Sequence, residues 1–516
     1  MKPICHPVSR NVISHRATIA MLVLLTMLTI SLTAISTSAQ SAITVDVTLD
    51  DQVTDKPVSG RVLLFFSQKR DQPMFGPSWF GPEPFFAVDV VDMNPGSSVK
   101  FNDSSANIGQ PLSALKDGKY KVQAILDHDF YFASHAGGPG NFYSQPLDIE
   151  IKEGAPVDAI KLTLDQVVAE KSYDESKAVK FFEIDSKLLG EFHKRQVLER
   201  ALVVLPPSYD DQPDRRYPVY VEITGFGGTL ERLTQRWSRG QPQPKEGETE
   251  FIRVLLTGQC KWGHHVYANS ATNGPRGDML VKEMLPAIDK QFRTIPESTA
   301  RFVGGHSSGG WSSLWLQVAY PDFFGGVWST APDPVDFRDF QGANLYDDNA
   351  SMFVQADGTK RTLARRGNTV MATYQDFTRM DDLLGRGGQI RSFDAVFSPL
   401  GEDGLPAYCW DRETGKVNPE VVEYWKRYDI SLILQQNWNT LGPKLKSKLH
   451  VYMGDSDTFY LEGATIKLGE RMKELGSDAV IEIFAGKDHG SLLTRELRSR
   501  IIREMSDQFW KHHPKE

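Results

Sequence analysis

Two different patterns of hydrophobic and polar positions divide this chain. Over residues 43–167, short runs alternate apolar and polar side chains, and Gly, Pro, Asn and Asp separate the runs; examples are residues 43–49, 120–126 and 160–164. A period of two is typical of half-buried β-strands, and a series of short strands without long helices is typical of a β-sandwich. We therefore predict a small β-sandwich-like domain over residues 40–167.

After a polar segment at residues 168–180, which we interpret as a linker, the pattern changes. Continuous apolar runs typical of buried strands recur at residues 201–205, 217–223, 251–256, 300–303, 324–328, 449–453 and 479–484. Between several of these runs, apolar residues recur at helical spacing, as at Leu497, Ile501, Met505 and Phe509. This alternation predicts an α/β fold over residues 181–516, with a mostly parallel sheet between two layers of helices. Residues 334–448 interrupt the alternation and are rich in Asp, Arg, Gly and Asn, so we predict a cap inserted between two late strands.

The first 39 residues have the pattern of a signal peptide. Lys2, Arg10 and Arg16 precede an apolar run at residues 19–32, and the small residues Thr37-Ser38-Ala39 follow it. A retained membrane anchor is the alternative, but the run is short and threonines interrupt it. We predict cleavage after Ala39 and an exported mature protein, periplasmic or extracellular, without stable membrane insertion.

Charge and cysteine usage exclude some functions. The 516 residues carry a formal net charge of -8, which argues against a nucleic-acid-binding surface. The mature chain keeps Cys260 and Cys409, which could form a disulfide or remain as free buried thiols. Neither has the spacing of a metal ligand or a redox pair, and we predict no metal and no cofactor.

A nucleophile motif follows the apolar run at residues 300–303. Gly305-His306-Ser307-Ser308-Gly309 matches G-x-S-x-G, in which a strand turns sharply into a helix and presents one serine at the apex. Small residues are needed beside that serine because the turn is strained and crowded. Apolar residues at helical spacing follow the motif, so we predict a helix just after Ser307 and assign Ser307 as the nucleophile.

A serine nucleophile needs a histidine base and a carboxylate that orients the base. In α/β-hydrolases these follow the serine in the order acid, then histidine. His489 lies in the loop after the predicted strand at residues 479–484, which is the expected place for the base. For the acid we prefer Asp457, because the turn that begins at Gly454 would carry it towards the pocket. Asp455 is the reserve, and Asp333 is a weaker one.

The oxyanion of the tetrahedral intermediate needs two N–H donors. One should be the backbone amide of Ser308, the residue after the nucleophile. The other should come from Thr224-Gly225-Phe226-Gly227-Gly228, which follows the predicted strand at residues 217–223. Phe226 or Gly227 would supply this amide, and we favour Phe226.

Several motifs resemble one known family. The segments Val203-Val-Leu-Pro-Pro-Ser-Tyr209, Arg216-Tyr-Pro-Val219, Gly225-Phe-Gly-Gly228 and Gly454-Asp-Ser-Asp-Thr-Phe459 are similar to motifs of the putative esterase (esterase D-like) family of α/β-hydrolases. This family includes feruloyl and acetylxylan esterases, siderophore esterases and S-formylglutathione hydrolases. The resemblance covers residues 181–516, less well across the cap. It implies ester hydrolysis by Ser307, Asp457 and His489, without a cofactor. Thr224 departs from the family, which usually has histidine at that position.

We therefore predict an exported serine esterase that acts on a small-molecule or polysaccharide-linked ester. An acyltransferase with the same triad and a non-catalytic binding protein on a hydrolase scaffold are the alternatives. A prolyl-oligopeptidase-like peptidase needs a propeller, for which the roughly 120 residues before the linker are too few. We expect the cap and the aromatic segment Phe75, Trp79, Phe80, Phe85 and Phe86 to shape or border the pocket. For these aromatic side chains we favour packing in the core or between domains over a platform for a sugar.

Overall fold

The computed structural model describes residues 43–514, except Phe130, Val157, Asp174 and Arg386. The signal peptide predicted over residues 1–39 lies outside the described residues. Within the described part of the chain, no helix is long and apolar enough to cross a membrane.

The N-terminal region is rich in β-structure, as the alternating pattern predicts. Its strands pair in the order β4-β1-β10-β7-β6-β2-β3-β5, with β8 paired to β6 and β9 to β8. Their bounds are β1 Val45–Leu49, β2 Val58–Ser67, β3 Phe85–Met93, β4 Ser98–Phe101, β5 Ala106–Asn107, β6 Gly118–Asp127, β7 Phe142–Ser144, β8 Leu147–Lys152, β9 Ala155–Pro156 and β10 Ile160–Val167.

These strands form one hydrogen-bonded sheet, whereas the predicted β-sandwich would keep two. The short strand β7 joins the two halves because it pairs with both β10 and β6. Both halves contribute to one hydrophobic cluster, which contains Val47 and Leu164 from one half and Leu64 and Leu126 from the other. An alternating pattern shows which side chains face inward, but it does not show which strands are neighbours.

Strand β2 contains the continuous apolar run Val62-Leu63-Leu64-Phe65-Phe66, and all five side chains are buried. Val62, Leu64 and Phe66 belong to the hydrophobic cluster of the N-terminal region. Leu63 and Phe65 face the other way and belong to the large core of the C-terminal region. Because successive side chains of a strand point to opposite faces, this run indicates a strand that is covered on both sides. The face of the N-terminal sheet that carries Leu63 and Phe65 is therefore buried against the C-terminal region.

The C-terminal region is built on an eight-stranded sheet with the order β11-β12-β14-β13-β19-β20-β23-β24, of which the last six are parallel. Small two-stranded sheets lie in its loops. The bounds are β11 Val179–Asp185, β12 Leu198–Val204, β13 Val219–Ile223, β14 Ile252–Leu256, β15 Gln259–Cys260, β16 Gly263–His264, β17 Asn269–Ser270, β18 Gly274–Pro275, β19 Arg301–His306, β20 Gly326–Thr330, β21 Thr362–Arg366, β22 Thr369–Thr373, β23 Leu449–Gly454 and β24 Val480–Phe484.

Helices cover both faces of this sheet, as predicted. Their bounds are α1 Lys187–His193, α2 Leu230–Trp237, α3 Arg276–Met279, α4 Leu285–Gln291, α5 Ser308–Ala319, α6 Tyr374–Leu384, α7 Gln389–Phe397, α8 Pro419–Trp425, α9 Ile430–Leu445, α10 Glu462–Glu474 and α11 Arg495–Trp510. In β19, Phe302 packs in the cluster that contains α11, whereas Val303 packs in the cluster that contains α4 and α5. Neighbouring side chains of one strand thus meet different helical layers.

The segment predicted as a cap lies between β20 and β23 and contains β21, β22 and α6–α9. It contacts the N-terminal sheet, where Arg61 forms an ion pair with Asp89 and donates to the carbonyl oxygens of Asp382 and Leu383 at the end of α6. Helix α9 packs against α5.

The two cysteines of the mature chain are both buried and free. A disulfide, one of the two alternatives that the sequence left open, is therefore not formed between Cys260 and Cys409.

Candidate active site

The nucleophile motif lies at the junction of β19 and α5. Ser307 has φ 62° and ψ -127°, a strained conformation for a residue with a side chain, and α5 begins at Ser308. Its neighbours are glycines because the backbone is crowded there. A Cβ atom on Gly305 would lie 2.3 Å from the carbonyl oxygen of Gly309, and one on Gly309 would lie 2.1 Å from that of Ile223. The G-x-S-x-G pattern thus reflects close contact between this turn and the end of β13.

The candidate base and acid follow the last two strands of the sheet. Asp457 follows β23, and His489 follows β24. Parallel strands place their carboxyl ends at one edge, so both side chains lie at the edge that carries Ser307. The ring Nδ1–H of His489 donates to Asp457 Oδ2 at 2.7 Å, and the other oxygen, Oδ1, accepts from the backbone N–H of Phe459 at 2.8 Å.

The electrostatics of this pair favour a basic imidazole. Burial lowers the pKa of His489, but the hydrogen bond to Asp457 and the charge of that carboxylate outweigh burial, so the pKa is raised above 6.5. Asp457 itself is fully buried. Because Nδ1 donates to Asp457, the neutral ring has its lone pair on Nε2.

Both reserve acids have other partners. Asp333 accepts a 2.6 Å hydrogen bond from the hydroxyl of Ser308, and burial raises its pKa to about 6. Asp455 is exposed and accepts from the backbone N–H of Gly486 at 2.8 Å, within the loop that leads to His489. The structure therefore brings His489 together with Asp457, and it places Asp333 beside the residue after the nucleophile.

The glycine-containing loop after β13 lies directly against the nucleophile. A Cβ atom on Gly225 would lie 3.0 Å from the carbonyl oxygen of His306 and 3.1 Å from Cβ of Ser307. Phe226 lines the same cavity as Ser307, whereas Gly227 takes φ 75° in the turn. This position suits a backbone donor to an oxyanion formed at Ser307.

His264 supports this loop from behind, a role for which the sequence has no recognisable motif. Its Nε2–H donates to the carbonyl oxygen of Thr224 at 2.9 Å, and its Nδ1 accepts from the backbone N–H of Val266 at 3.1 Å. A carbonyl can only accept, so these two bonds determine the neutral tautomer. Burial lowers the pKa of His264 to about 4, which keeps the ring neutral at ordinary pH.

A cavity of about 270 Å³ opens above Ser307 and His489. Five aromatic side chains line it, namely Trp79, Phe226, Phe377, Phe393 and Phe459. Polar groups at the same cavity come from Asp333, Gln341 and Gln389. The cavity is therefore suited to a group that combines a flat apolar surface with hydroxyl or carbonyl substituents.

Trp79 reaches this cavity from the N-terminal region. Its ring centroid lies 5.6 Å from those of Phe226 and Phe377 and 6.3 Å from that of Phe459. Trp79 thus borders the pocket and packs on rings of the C-terminal region, whereas Phe85 and Phe86 are fully buried, so the two expectations for this aromatic segment each hold for part of it. Sequence alone could not show this, because the partners of Trp79 lie about 150 to 380 residues further along the chain.

Within the described residues, no group of three or more His, Cys, Asp or Glu side chains is placed to hold a metal ion.

The chain is similar to several known proteins. A family model described as "Putative esterase" matches residues 199–468. The chain is similar to a solved ferulic acid esterase, with 14% identity, 64% of this chain and 98% of that chain covered, and a TM-score of 0.39. It is also similar to an S-formylglutathione hydrolase from Agrobacterium tumefaciens, with 14% identity, 66% and 98% covered, and a TM-score of 0.38. A third similar structure is a fluorophosphonate-binding serine hydrolase F from Staphylococcus aureus, with 13% identity, 64% of this chain and 98% of that chain covered, and a TM-score of 0.38. No curated protein sequence matches the chain.

The crowding at the nucleophile turn predicts that Gly309→Ala destabilises the fold. The added methyl group would lie 2.1 Å from the carbonyl oxygen of Ile223, so the turn or the end of β13 must shift. We expect a loss of about 1–3 kcal/mol in the free energy of unfolding, measured by urea denaturation. The matched control is Gly469→Ala in α10, where the new atom meets a side-chain carbon at 3.4 Å and stability should be unchanged or higher. Equal stability of the two variants would contradict the steric explanation.

Proposed function

Because the chain belongs to the putative esterase family, we propose that it is a serine hydrolase that cleaves carboxylic esters through an acyl-enzyme. Ser307 is the nucleophile, His489 the general base and Asp457 the acid that orients the base. The observation that carries the proposal is the 2.7 Å hydrogen bond between His489 Nδ1 and Asp457 Oδ2, at a cavity that also contains the strained Ser307.

The first half of the reaction forms the acyl-enzyme. Ser307 Oγ attacks the ester carbonyl while His489 Nε2 accepts the hydroxyl proton. Asp457 stabilises the imidazolium that results, which agrees with the raised pKa of His489. The backbone N–H groups of Ser308 and Phe226 stabilise the oxyanion. His489 then protonates the leaving alcohol, and the acyl group stays on Ser307.

In the second half, water replaces the alcohol. His489 removes a proton from the water, the hydroxide attacks the acyl carbonyl, and the same N–H donors stabilise the second oxyanion. Collapse of this intermediate releases the carboxylic acid and returns the proton to Ser307 Oγ.

Residues around the triad position the donors. The hydrogen bond from Ser308 Oγ to Asp333 restrains the residue that supplies one oxyanion donor. His264 restrains Thr224 at the start of the loop that supplies the other. In this proposal His264 supports the loop at which Thr224 replaces the family's usual histidine.

We propose export of the protein on the basis of residues 1–39 alone. The substrate is an ester with a ring-bearing group that fits an aromatic cavity of about 270 Å³.

Replacement of the nucleophile tests the proposal directly. Ser307→Ala removes the attacking oxygen and should lower hydrolysis of p-nitrophenyl acetate by about 10⁴-fold or more, with loss of fluorophosphonate labelling. His489→Ala should be about as damaging, because the two groups act as a unit. The control is Ser313→Ala, whose hydroxyl bonds a backbone carbonyl inside α5. Turnover by Ser307→Ala near that of the control would refute the assignment.

Two aspartates of one turn can be compared to test the acid. Asp457→Asn keeps the shape but favours the wrong tautomer of His489, so we expect kcat to fall by about 10³–10⁴-fold. Asp455→Asn should cost far less, because its side chain accepts a hydrogen bond from Gly486 and an amide oxygen can also accept it. Steady-state kinetics with p-nitrophenyl acetate measure both losses. The reverse order of losses would assign the acid to Asp455.

The dependence of kcat/KM on pH tests the electrostatics of the base. Only neutral His489 can accept a proton, so activity should fall as the pH drops through its raised pKa, above 6.5. In Asp457→Asn the residual activity should fall at a lower pH, since the carboxylate that raises the pKa is gone. Asp333→Asn should shift the profile in the same direction by less, because the Asp333 charge also raises this pKa. If the fall of kcat/KM at low pH came at the same pH in Asp457→Asn as in the unmodified protein, this would contradict the pairing of His489 with Asp457.

A further inference from the structure

A second and larger cavity lies beside the catalytic one. Its volume is about 550 Å³, and we call it the lateral groove. It is lined from the N-terminal region by Phe75 and Tyr131, from the C-terminal region by Phe192 and Trp262, and from the cap segment by Leu405. Nothing in the proposed reaction uses these side chains.

The lateral groove concentrates large apolar side chains that remain in contact with solvent. Phe75 is 58% exposed, Tyr131 43% and Phe192 42%, and Leu405 is also exposed. Large apolar side chains are usually removed from water, and an exposed group of them at one concave site indicates a binding surface. Of these rings, Phe75 is the most exposed.

More positively than negatively charged side chains line the lateral groove, although the protein as a whole is acidic. Two carboxylates line it, Glu199 and Glu231, against six cations, which are Lys171, Arg195, Arg200, Arg232, Lys261 and Arg276. The full chain has a formal net charge of -8. A local excess of positive charge in an acidic protein favours an anionic ligand.

Three of the six cations, Lys171, Arg200 and Arg276, form ion pairs with glutamates. Arg232 is exposed at the first turn of α2. The guanidinium of Arg195 lies 4.4 Å above the ring of Tyr131, and Lys261 lies 5.5 Å from the ring of Trp262. Positive charge and aromatic faces are thus presented together, a combination that suits a ring-bearing anion.

The lateral groove adjoins the catalytic cavity at Phe226. A Cβ atom on Gly263, next to Trp262, would lie 3.1 Å from a ring carbon of Phe226. Phe75 of the groove and Trp79 of the catalytic cavity belong to one loop, between β2 and β3. The two cavities are therefore neighbours that the contact between Phe226 and Gly263 separates, and a chain in the groove would pass over Phe226 to reach Ser307.

We propose that the lateral groove binds an anionic oligosaccharide, the extended alcohol part of the ester that Ser307 cleaves. Sugar rings have an apolar face that stacks on aromatic side chains, and their carboxylate or sulfate groups pair with the groove's arginine and lysine side chains. A nucleic acid is a longer and more densely charged polyanion, so the acidic remainder of the surface repels it more than it repels a short oligosaccharide. The identity of the bound chain as part of the substrate rests on the proposed esterase function, but the binding itself does not.

Binding is measured on the full-length chain with Ser307→Ala, so that turnover plays no part. The probes for isothermal titration are hexamers of galacturonate, sulfated galactan, neutral xylan and glutamate. We expect at least one anionic sugar to bind at least tenfold more tightly than xylohexaose and hexaglutamate, and to weaken as salt rises from 50 to 300 mM. A carboxylated and a sulfated ligand are distinguished by which of the two binds. Equal binding of hexaglutamate or xylohexaose, or no binding of either anionic sugar, would overturn the proposal.

Variants then place the binding in the lateral groove. Phe75→Ala removes a stacking surface, and Arg232→Glu reverses a charge at the first turn of α2; each should weaken the binding at least tenfold. The matched control is Arg239→Glu, an exposed arginine just after the same helix and outside the groove lining. Equal losses in Arg232→Glu and Arg239→Glu would show long-range charge only and overturn the site.

Activity separates failure of this proposal from failure of the esterase function. In the active protein, Phe75→Ala and Arg232→Glu should leave kcat/KM for p-nitrophenyl acetate unchanged and should lower it at least tenfold for an acetylated anionic oligosaccharide. An equal loss on both substrates would contradict a separate subsite. If the unmodified protein hydrolyses neither ester, the esterase proposal fails, while the titration still tests the lateral groove.

Discussion

The strained backbone at Ser307 is the constraint on which the candidate site depends. An L-residue at φ 62° persists only where its surroundings hold it. Here the N–H of Ser307 donates to Thr330 at the end of β20, and its carbonyl oxygen accepts from Trp311 in α5 and from Asp333. The turn is thus held by a strand, a helix and the loop after β20, and the glycines beside it leave room for β13. The candidate base, acid and donor loop are arranged around this position, which the core of the sheet defines.

The parts of the site that lie within short motifs could be predicted from sequence. A strand followed by G-x-S-x-G, and two later strands followed by Asp457 and His489, are local patterns, and the family resemblance that they indicate is confirmed by the family model. The strand–helix alternation also predicts the parallel sheet, because buried strands appear in the sequence as continuous apolar runs and amphipathic helices as apolar residues at helical spacing. The choice of Asp457 over Asp455 depended on the turn that begins at Gly454, and the hydrogen bond between His489 and Asp457 agrees with that choice.

What the sequence could not show depends on contacts between distant segments. The place of Trp79 in the catalytic cavity depends on packing against Phe226, Phe377 and Phe459. The role of His264 depends on a hydrogen bond to the backbone carbonyl of residue 224, and this bond does not depend on which side chain that residue carries.

The single N-terminal sheet depends on the pairing of β7, a strand of only three residues. By contrast, the five consecutive buried apolar residues of strand β2 do indicate that both faces of the N-terminal sheet are covered there.

Strand β24 lies at the end of the eight-stranded sheet, and each of its five residues is at least partly exposed. The proposed base, His489, follows this strand, whereas the proposed nucleophile, Ser307, follows β19 in the interior of the sheet. Elements with few buried contacts open locally at a lower free energy than the core does. Heat should therefore detach His489 from Ser307 while most of the sheet is intact, so that loss of turnover on warming reports the loosening of one edge and precedes the melting of the protein.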